Sequence, residues 1–449
     1  IGGIGMSGLS LIMKAKGFEV QGSDIVINKN IEKLKKQNIK IFLGHKKQNI
    51  KDVTIVVISS AIKKNNPEFI EARRKKLPII KRGKMLANLV SFMKNIVVVG
   101  SHGKTTTTSL VSSIFEKTKL DPTVINGGII NSISSTAKLG KSDWSILEAD
   151  ESDGSFVHIS PTYSILTNID REHMDFYKSM KDIKKYFLKF IQKVPSFGKS
   201  FICIDDRINN ELIKEIKNKN FYTYGVKSNA NFLIKNIYQT ERYSKFDLSL
   251  SLPNKKKLVL KNFKIPLLGI HNIRNSTAAI AVAFILGIST PNIKKGLINF
   301  KGVQRRFNRI FSYNGIDFFD DYAHHPTEIE SVLEGVKAVY GKHEKVCIFQ
   351  PHRISRLKDL RKEFSYSFKN ADIVILCPIY TAGEKIKLGF NYYDFAKEIV
   401  KNSKVKLFMV NNEIQLAKFI KKNIYGNKIV IGMGAGSISS WIKNLPKVM

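Results

Sequence analysis

The chain predicts an α/β protein of three domains, and three observations carry that expectation. Strand-like apolar runs alternate with helix-like segments along its 449 residues. That alternation argues for parallel sheets with crossover helices. A length of this order suits about three domains, each able to bury its own core. The pattern also starts afresh twice, near residue 94 and near residue 301, giving expected domains 1–90, 94–300 and 301–449.

The first domain opens with Gly3-x-Gly5-x-x-Gly8 and an apolar helix to about Lys16. A strand is expected at Phe18–Gln21, then Asp24, 19 residues beyond Gly5, and a further strand across Asp52–Ser60. Glycines in this arrangement let a backbone approach a pyrophosphate. The same turn serves a nicotinamide cofactor or a nucleotide-diphosphate substrate, and the spacing does not separate them. The chain begins at Ile1, inside what reads as a first βα turn. A preceding segment is therefore expected, and without that strand the first domain should be less stable.

The second domain opens with the most informative run, Val97–Thr108, V-V-V-G-S-H-G-K-T-T-T-T. An apolar β-branched strand ends at Gly100, a short loop carries Ser101, His102 and Gly103, and Lys104, Thr105 and Thr106 lead into a helix over Ser109–Phe115. Loop and helix N–H groups converge on an anion, and the helix dipole favours negative charge there. Lys104 is placed to reach β/γ-phosphates and the Thr105 hydroxyl to ligate Mg²⁺. The motif is a shortened G-x-x-G-K-T. Further on, the strand in Asp143–Ser155 ends at Glu148, where a carboxylate can reach a Mg²⁺ beside the loop. Asp150, Glu151 and Asp153 read as a solvated acidic turn and are not each assigned to a metal. A second strand, YSILTNID, ends just before His173. Two such strand ends beside a phosphate loop suggest a divalent-metal site. Alternating segments between 220 and 265 suggest a small β-rich part. The helix opened by GIHNIRNSTAA offers His271, Asn272 and Asn275; amide side chains suit an adenine edge, and equally cap a helix.

In the third domain, Arg305 and Arg306 of GVQRRF suit phosphate at a domain boundary. Asp320, Asp321, Tyr322, His324 and His325 are expected directly after the strand DFF, and His352, Arg353 and Arg356 after VCIFQ. Carboxyl ends of parallel strands are where open α/β sheets bind ligands, and paired arginines clamp carboxylates. The dihistidine lacks a suitably spaced third zinc ligand. Gly432, Gly434 and Gly436 make a tight strand-to-helix turn that either touches a ligand or only redirects the chain.

Bulk properties exclude other classes. No apolar stretch of about 18 residues argues for a membrane span, and no signal peptide is visible. Cys203, Cys347 and Cys377 lie far apart in apolar runs, as buried strand residues of a reducing compartment. The net charge of +37 is extreme, but its lysines are scattered without a basic tail or interleaved aromatics, so no nucleic-acid partner is expected.

The segments GIGGIGMSG, GSHGKTTTT, EADESDGSF, NIDREHMDFY, GIHNIRNSTAA, GVQRRF, DDYAHHPTEI, QPHRISR and GMGAGSI stand in the order seen in the Mur ligases. The chain resembles that family over essentially its whole length, and most closely the members that add L-alanine. The EADESDGSF segment sets it apart from the sibling that attaches the recycled tripeptide L-Ala-γ-D-Glu-meso-diaminopimelate to the same nucleotide sugar. Ser101 stands where the family usually has Thr. The resemblance implies an N-terminal Rossmann-like domain for the UDP-sugar, a central P-loop-type ATPase domain with a parallel sheet, and a C-terminal Rossmann-like domain. It implies an ATP-dependent amide ligase of peptidoglycan precursor synthesis, cytoplasmic, monomeric or homodimeric, with ATP, Mg²⁺, UDP-N-acetylmuramate and L-alanine as cofactor and partners. It implies that Lys104 holds the transferring phosphate and that Thr105, Glu148 and His173 hold Mg²⁺. Gly100, Ser101, His102, Gly103, Thr106, His271, Asn272, Asn275, Arg306 and Asp321 would serve ATP. Gly3, Gly5, Met6, Ser7, Gly8, Ser23 and Asp24 would meet the UDP-sugar, which replaces the nicotinamide reading of that turn. Tyr322, His324, His352, Arg353 and Arg356 would orient alanine and the muramoyl group, with His324 and Arg353 among the catalytic set. Closure of the domains is expected to assemble these parts.

Overall fold

The computed structural model describes residues 1–116, 118–217, 219–253, 256–384 and 391–448. They fall into two compact units: Ile1–Ile237 with Lys245–Pro266 and Arg274–Lys301, and Tyr238–Ser244 with Leu267–Ile273 and Gly302–Met449.

Near the N-terminus, helix Ile4–Ala15 precedes two parallel pairs, Gln21–Asp24 with Lys40–Leu43 and Val56–Ile58 with Ile79–Lys81, whose strands are connected through helices Lys29–Lys36 and Pro67–Arg74 respectively. The first strand lies three residues later than the expected Phe18–Gln21, because the register that pairs Gln21 with Lys40 carries it to Asp24. Helix starts follow local chemistry. Asn28 and Asn66 each accept two backbone N–H groups at an N-cap, and Pro67 occupies the first turn.

A ten-stranded sheet runs in the order Leu258–Ile265, Ser244–Leu250, Phe232–Gln239, Phe221–Gly225, Lys199–Cys203, Tyr163–Leu166, Lys94–Val99, Trp144–Glu148, Thr123–Ile130, Ser135–Lys138. It is mixed rather than parallel, since Ser135–Lys138 turns back antiparallel on Thr123–Ile130. At its centre, Ile96–Val99 are fully buried, which accounts for an unbroken β-branched run in place of alternation. Helix Met180–Ile191 buries Ile183, Phe187, Phe190 and Ile191, one face at helical spacing, and sets Phe187 and Phe190 against Phe156.

The second unit holds a six-stranded sheet ordered Asn308–Tyr313, Ile316–Asp321, Lys428–Met433, Glu344–Phe349, Ile373–Leu376, Lys406–Met409. All neighbours are parallel except the first pair. Asp320 and Asp321 lie inside the strand rather than after it, paired with Gly432 and Met433. Two apolar layers sandwich this sheet, one around Leu333, Phe349 and Phe395, the other around Phe318, Ile348 and Ile442. No helix among the described residues is long and apolar enough to cross a membrane.

Candidate active site

In the first unit, strand Lys94–Val99 ends in a loop whose backbone only glycine adopts without strain, with φ of 138° at Gly100 and 80° at Gly103. A Cβ on Gly103 would stand 2.7 Å from Asn275 Oδ1, so Asn275 lies against the loop. The loop is laced to the end of strand Tyr163–Leu166. Ser101 N donates to Asn168 O at 2.9 Å, His102 N to Asn168 Oδ1 at 2.8 Å, and Asp170 N to Ser101 Oγ at 2.8 Å. His102 Nε2 lies 3.0 Å from Asp170 Oδ2.

Helix Lys104–Glu116 begins directly at the loop, five residues before the expected Ser109, because the threonines continue the helix and are themselves buried. Lys104 Nζ donates to Gly100 O at 2.7 Å and Ser101 O at 2.8 Å, and pairs with Glu151 at 2.9 Å. Burial opposes its charge, but Glu151, Glu148 and Glu172 outweigh that and hold it above the ordinary lysine range. Thr105 Oγ1 donates to Glu148 Oε1 at 3.0 Å, and Gly127 N to Glu148 Oε2 at 2.6 Å.

His173 sits at φ 56°, a strained backbone for a side-chain-bearing residue and a feature that clusters at functional sites. Its Nε2 lies 3.4 Å from Glu151 Oε1. Burial disfavours its charge, but Glu151 and Glu172 raise its pKa overall. One ligand atom each of Glu151, Glu172 and His173 fall within 4.8 Å of one another. Glu151 is only 4% exposed. Hard oxygens with one imidazole, beside a phosphate loop, are a donor set that suits Mg²⁺ shared with phosphates.

Lys104, Thr105, Glu148 and His173 therefore lie together, and Glu151 and Glu172, which the sequence reading does not single out, join them. Asp150, next to Glu151, pairs instead with Arg82 at 2.9 Å. Asn168 and Asp170 were also missed, although their place at a strand end beside the loop was a usable signal.

The N-terminal candidates form a separate group. Gly5 and Gly8 lie within helix Ile4–Ala15, against Arg82 and Thr136 respectively. Met6 shares that helix, with its O accepting from Ser10 Oγ, while Ser7 bonds Ile4 O and Gly3 is the N-cap. Ser23 Oγ donates to Glu68 Oε2 at 2.7 Å and lies 2.9 Å from His45 Nδ1. Asp24 accepts Gly2 N at 2.8 Å.

In the second unit, Tyr322 is covered by two guanidinium groups, with Arg305 at 4.7 Å and Arg306 at 5.2 Å from its ring centre. His324 meets Tyr322 edge-on at 5.1 Å and His352 at 5.7 Å, and its Nδ1 lies 3.1 Å from Glu328. His352 stacks on Tyr380, 5.5 Å between centres, and its Nδ1 lies 3.2 Å from Arg356 Nη1. Burial, then the neighbouring His324, Arg356 and Arg353, push the His352 pKa down to about 3. Arg353 has φ 69° and its Nε donates to Glu384 at 2.6 Å. Asp321 accepts Phe307 N and Ala323 N, each at 2.7 Å, and burial raises its pKa to about 6. His325 caps helix Pro326–Val339. Asn272 Nδ2 donates to Leu268 O, and His271 packs on Gly269; both fall in this unit, whereas Asn275 falls in the first. Gly434 N bonds Asp321 O, and Gly436 packs on Tyr380.

Comparison with known proteins covers nearly the whole chain. Residues 1–94 match the Mur ligase family catalytic domain, 98–283 the Mur ligase middle domain, and 305–436 the Mur ligase glutamate ligase domain. A UDP-N-acetylmuramate–L-alanine ligase of Pelagibacter ubique is 70% identical over all of this chain and 97% of its own length. The Brucella ovis protein of the same name is 40% identical over all of this chain and 95% of its own. Among solved structures, the UDP-N-acetylmuramate-alanine ligase of Thermotoga maritima superposes with a TM-score of 0.82 at 27% identity, covering 100% of this chain and 97% of that one. A murein peptide ligase of Psychrobacter arcticus superposes at 0.73 with 21% identity, over 100% and 97%, and shares the fold. With relatives this similar over its full length, the chain belongs to the Mur ligase family.

Proposed function

We propose that this chain is an ATP-dependent amide ligase that joins L-alanine to the lactyl carboxylate of UDP-N-acetylmuramate in peptidoglycan precursor synthesis, working in the bacterial cytoplasm. The observation that carries the reading is the phosphate loop whose Lys104 and Thr105 meet Glu151 and Glu148 at the end of the neighbouring strand. The full-length likeness to ligases of that name supports the substrates.

ATP phosphorylates the carboxylate, the alanine amine attacks the acyl phosphate through a tetrahedral intermediate, and ADP and phosphate leave. The chain needs no covalent nucleophile. Its work is positioning and charge neutralisation, as in other phosphoryl transfers. Lys104, its charge favoured by the surrounding glutamates, holds the transferring phosphoryl group. Thr105 and Glu148 would hold one Mg²⁺, and Glu151, Glu172 and His173 a second. Bound Mg²⁺ supplies neutralisation of phosphate charge. Asn275, against the loop, would serve the nucleotide together with His102. Ser23, Asp24 and the Gly3–Gly8 helix start serve the UDP-sugar. Arg353 and Arg356, flanking His352, take the carboxylate of the incoming alanine.

Phosphate release from ATP with Mg²⁺ and UDP-N-acetylmuramate tests this, comparing L-alanine with L-Ala-γ-D-Glu-meso-diaminopimelate. Turnover with alanine, abolished in Lys104→Ala, is expected. Turnover with the tripeptide alone would transfer the chain to the recycling sibling. Turnover with neither, in a folded sample, would refute the substrate assignment.

A further inference from the structure

We propose that Glu384 is a positioning residue for the amino-acid substrate: it fixes the Arg353 guanidinium that receives the substrate carboxylate. This rests on the reading of Arg353 given above. The strand Glu344–Phe349 leads into an extended segment at 351–353, which a second segment, 380–384, joins through a parallel bridge between His352 and Tyr380. Tyr380 N donates to Pro351 O and Arg353 N to Tyr380 O, each at 2.8 Å, so the two segments run side by side. The stacked His352 and Tyr380 rings close the same contact.

Glu384 completes it with three bonds. Its Oε1 accepts from Arg353 Nε and from Ser355 Oγ, each at 2.6 Å, and its Oε2 accepts from Ser355 N at 3.0 Å. The residue's own N–H bonds Thr381 O at 3.0 Å, which holds the carboxylate's backbone in a turn. Arg353 is a long side chain on a strained backbone, φ 69°, and each bond made to it reduces the rotamers it samples. The Nε contact with Glu384 constrains the plane of the guanidinium. Ser355, in turn, sets Glu384. A carboxylate bound by arginine gains most from such a fixed planar fork. Glu384 stays ionised well into acid. Burial alone would raise its pKa, but the Ser355 bonds and Arg353 bring it down to about 2.

The test is steady-state kinetics of Glu384→Ala, Glu384→Gln, Arg353→Ala and the double variant. Removing a charge-assisted bond to a binding group costs on the order of tenfold in affinity. Glu384→Ala is expected to raise KM for L-alanine about tenfold, with kcat and the KM for ATP within about threefold. Glu384→Gln, which still accepts from Arg353 and Ser355, should recover part of the loss. In the Arg353→Ala background, Glu384→Ala should add nothing. An unchanged KM for alanine in both Glu384 variants, with Arg353→Ala raising it, overturns the role of Glu384 alone. An unchanged KM in Arg353→Ala overturns the assignment of Arg353 and the proposal with it. Equal effects on the KM of ATP and alanine would mark a structural loss and likewise overturn it.

Discussion

Glu151→Gln removes one carboxylate charge while keeping the side-chain shape, and its consequences can be worked from the structure. Glu151 is 4% exposed, and its carboxylate lies 2.9 Å from Lys104 Nζ and 3.4 Å from His173 Nε2. Removing one partner of a buried ion pair typically costs about 3–5 kcal/mol, because the remaining charge is left uncompensated. Lys104 retains Glu148 and Glu172 nearby, so the lower end applies, about 3 kcal/mol. At roughly 2–4 °C per kcal/mol for a unit of this size, the melting temperature should fall by about 6–12 °C. Turnover should fall further than stability explains. The same carboxylate sets the Lys104 ammonium and offers an oxygen to the proposed metal, so a loss of at least about 100-fold in kcat is expected. The measurements are a thermal melt and phosphate release at saturating substrates. A melt within about 2 °C of the parent, or full activity in Glu151→Gln, would refute the reasoning that this residue organises the site.

Other expectations follow from the same geometry. A Cβ at Gly127 would lie 2.6 Å from both Glu148 carboxylate oxygens, so Gly127→Ala should displace Glu148 from Thr105. The Mg²⁺ concentration for half-maximal activity should rise about tenfold, and an unchanged Mg²⁺ titration would count against Glu148 as a metal ligand. The His352 pKa is lowered to about 3 by burial and by the surrounding His324 and arginines. Its folded value lies below the unfolded one of 6.5, so its contribution to stability is present above 6.5 and is lost as pH falls toward 3. Denaturant unfolding at pH 7 and at pH 4.5 should therefore show a smaller acid loss in His352→Gln than in the parent. Equal losses would mean that the ring is not held neutral.

Much of the site was legible because its signals are local. The phosphate loop depends on two glycines with left-handed backbone, a lysine and a threonine within six residues, Gly100 to Thr105. Such a run specifies its own conformation, and its chemistry can be read without knowing what surrounds it. The strand ends were legible for a related reason: unbroken apolar runs mark strands buried on both faces, and ligands gather where those runs stop. Where local signals are weak, position along the chain is poorly specified. The sequence pattern points to Phe18–Gln21 for the first strand and the structure has it at Gln21–Asp24, since a short, half-buried edge pair has little hydrophobic pattern to fix its position.

By itself, then, the amino-acid sequence determined the α/β class, the phosphate loop and the residues Lys104, Thr105, Glu148 and His173 that surround it. Only tertiary structure decided between chemically equivalent neighbours. Asp150 and Glu151 are adjacent acids in one turn, yet Asp150 turns to Arg82, 68 residues away, and Glu151 to Lys104, 47 residues away. Glu384 has no local signal at all and becomes meaningful through Arg353, 31 residues earlier. A carboxylate's role is set by the charge it faces and the water it loses, and both are fixed by segments distant in sequence.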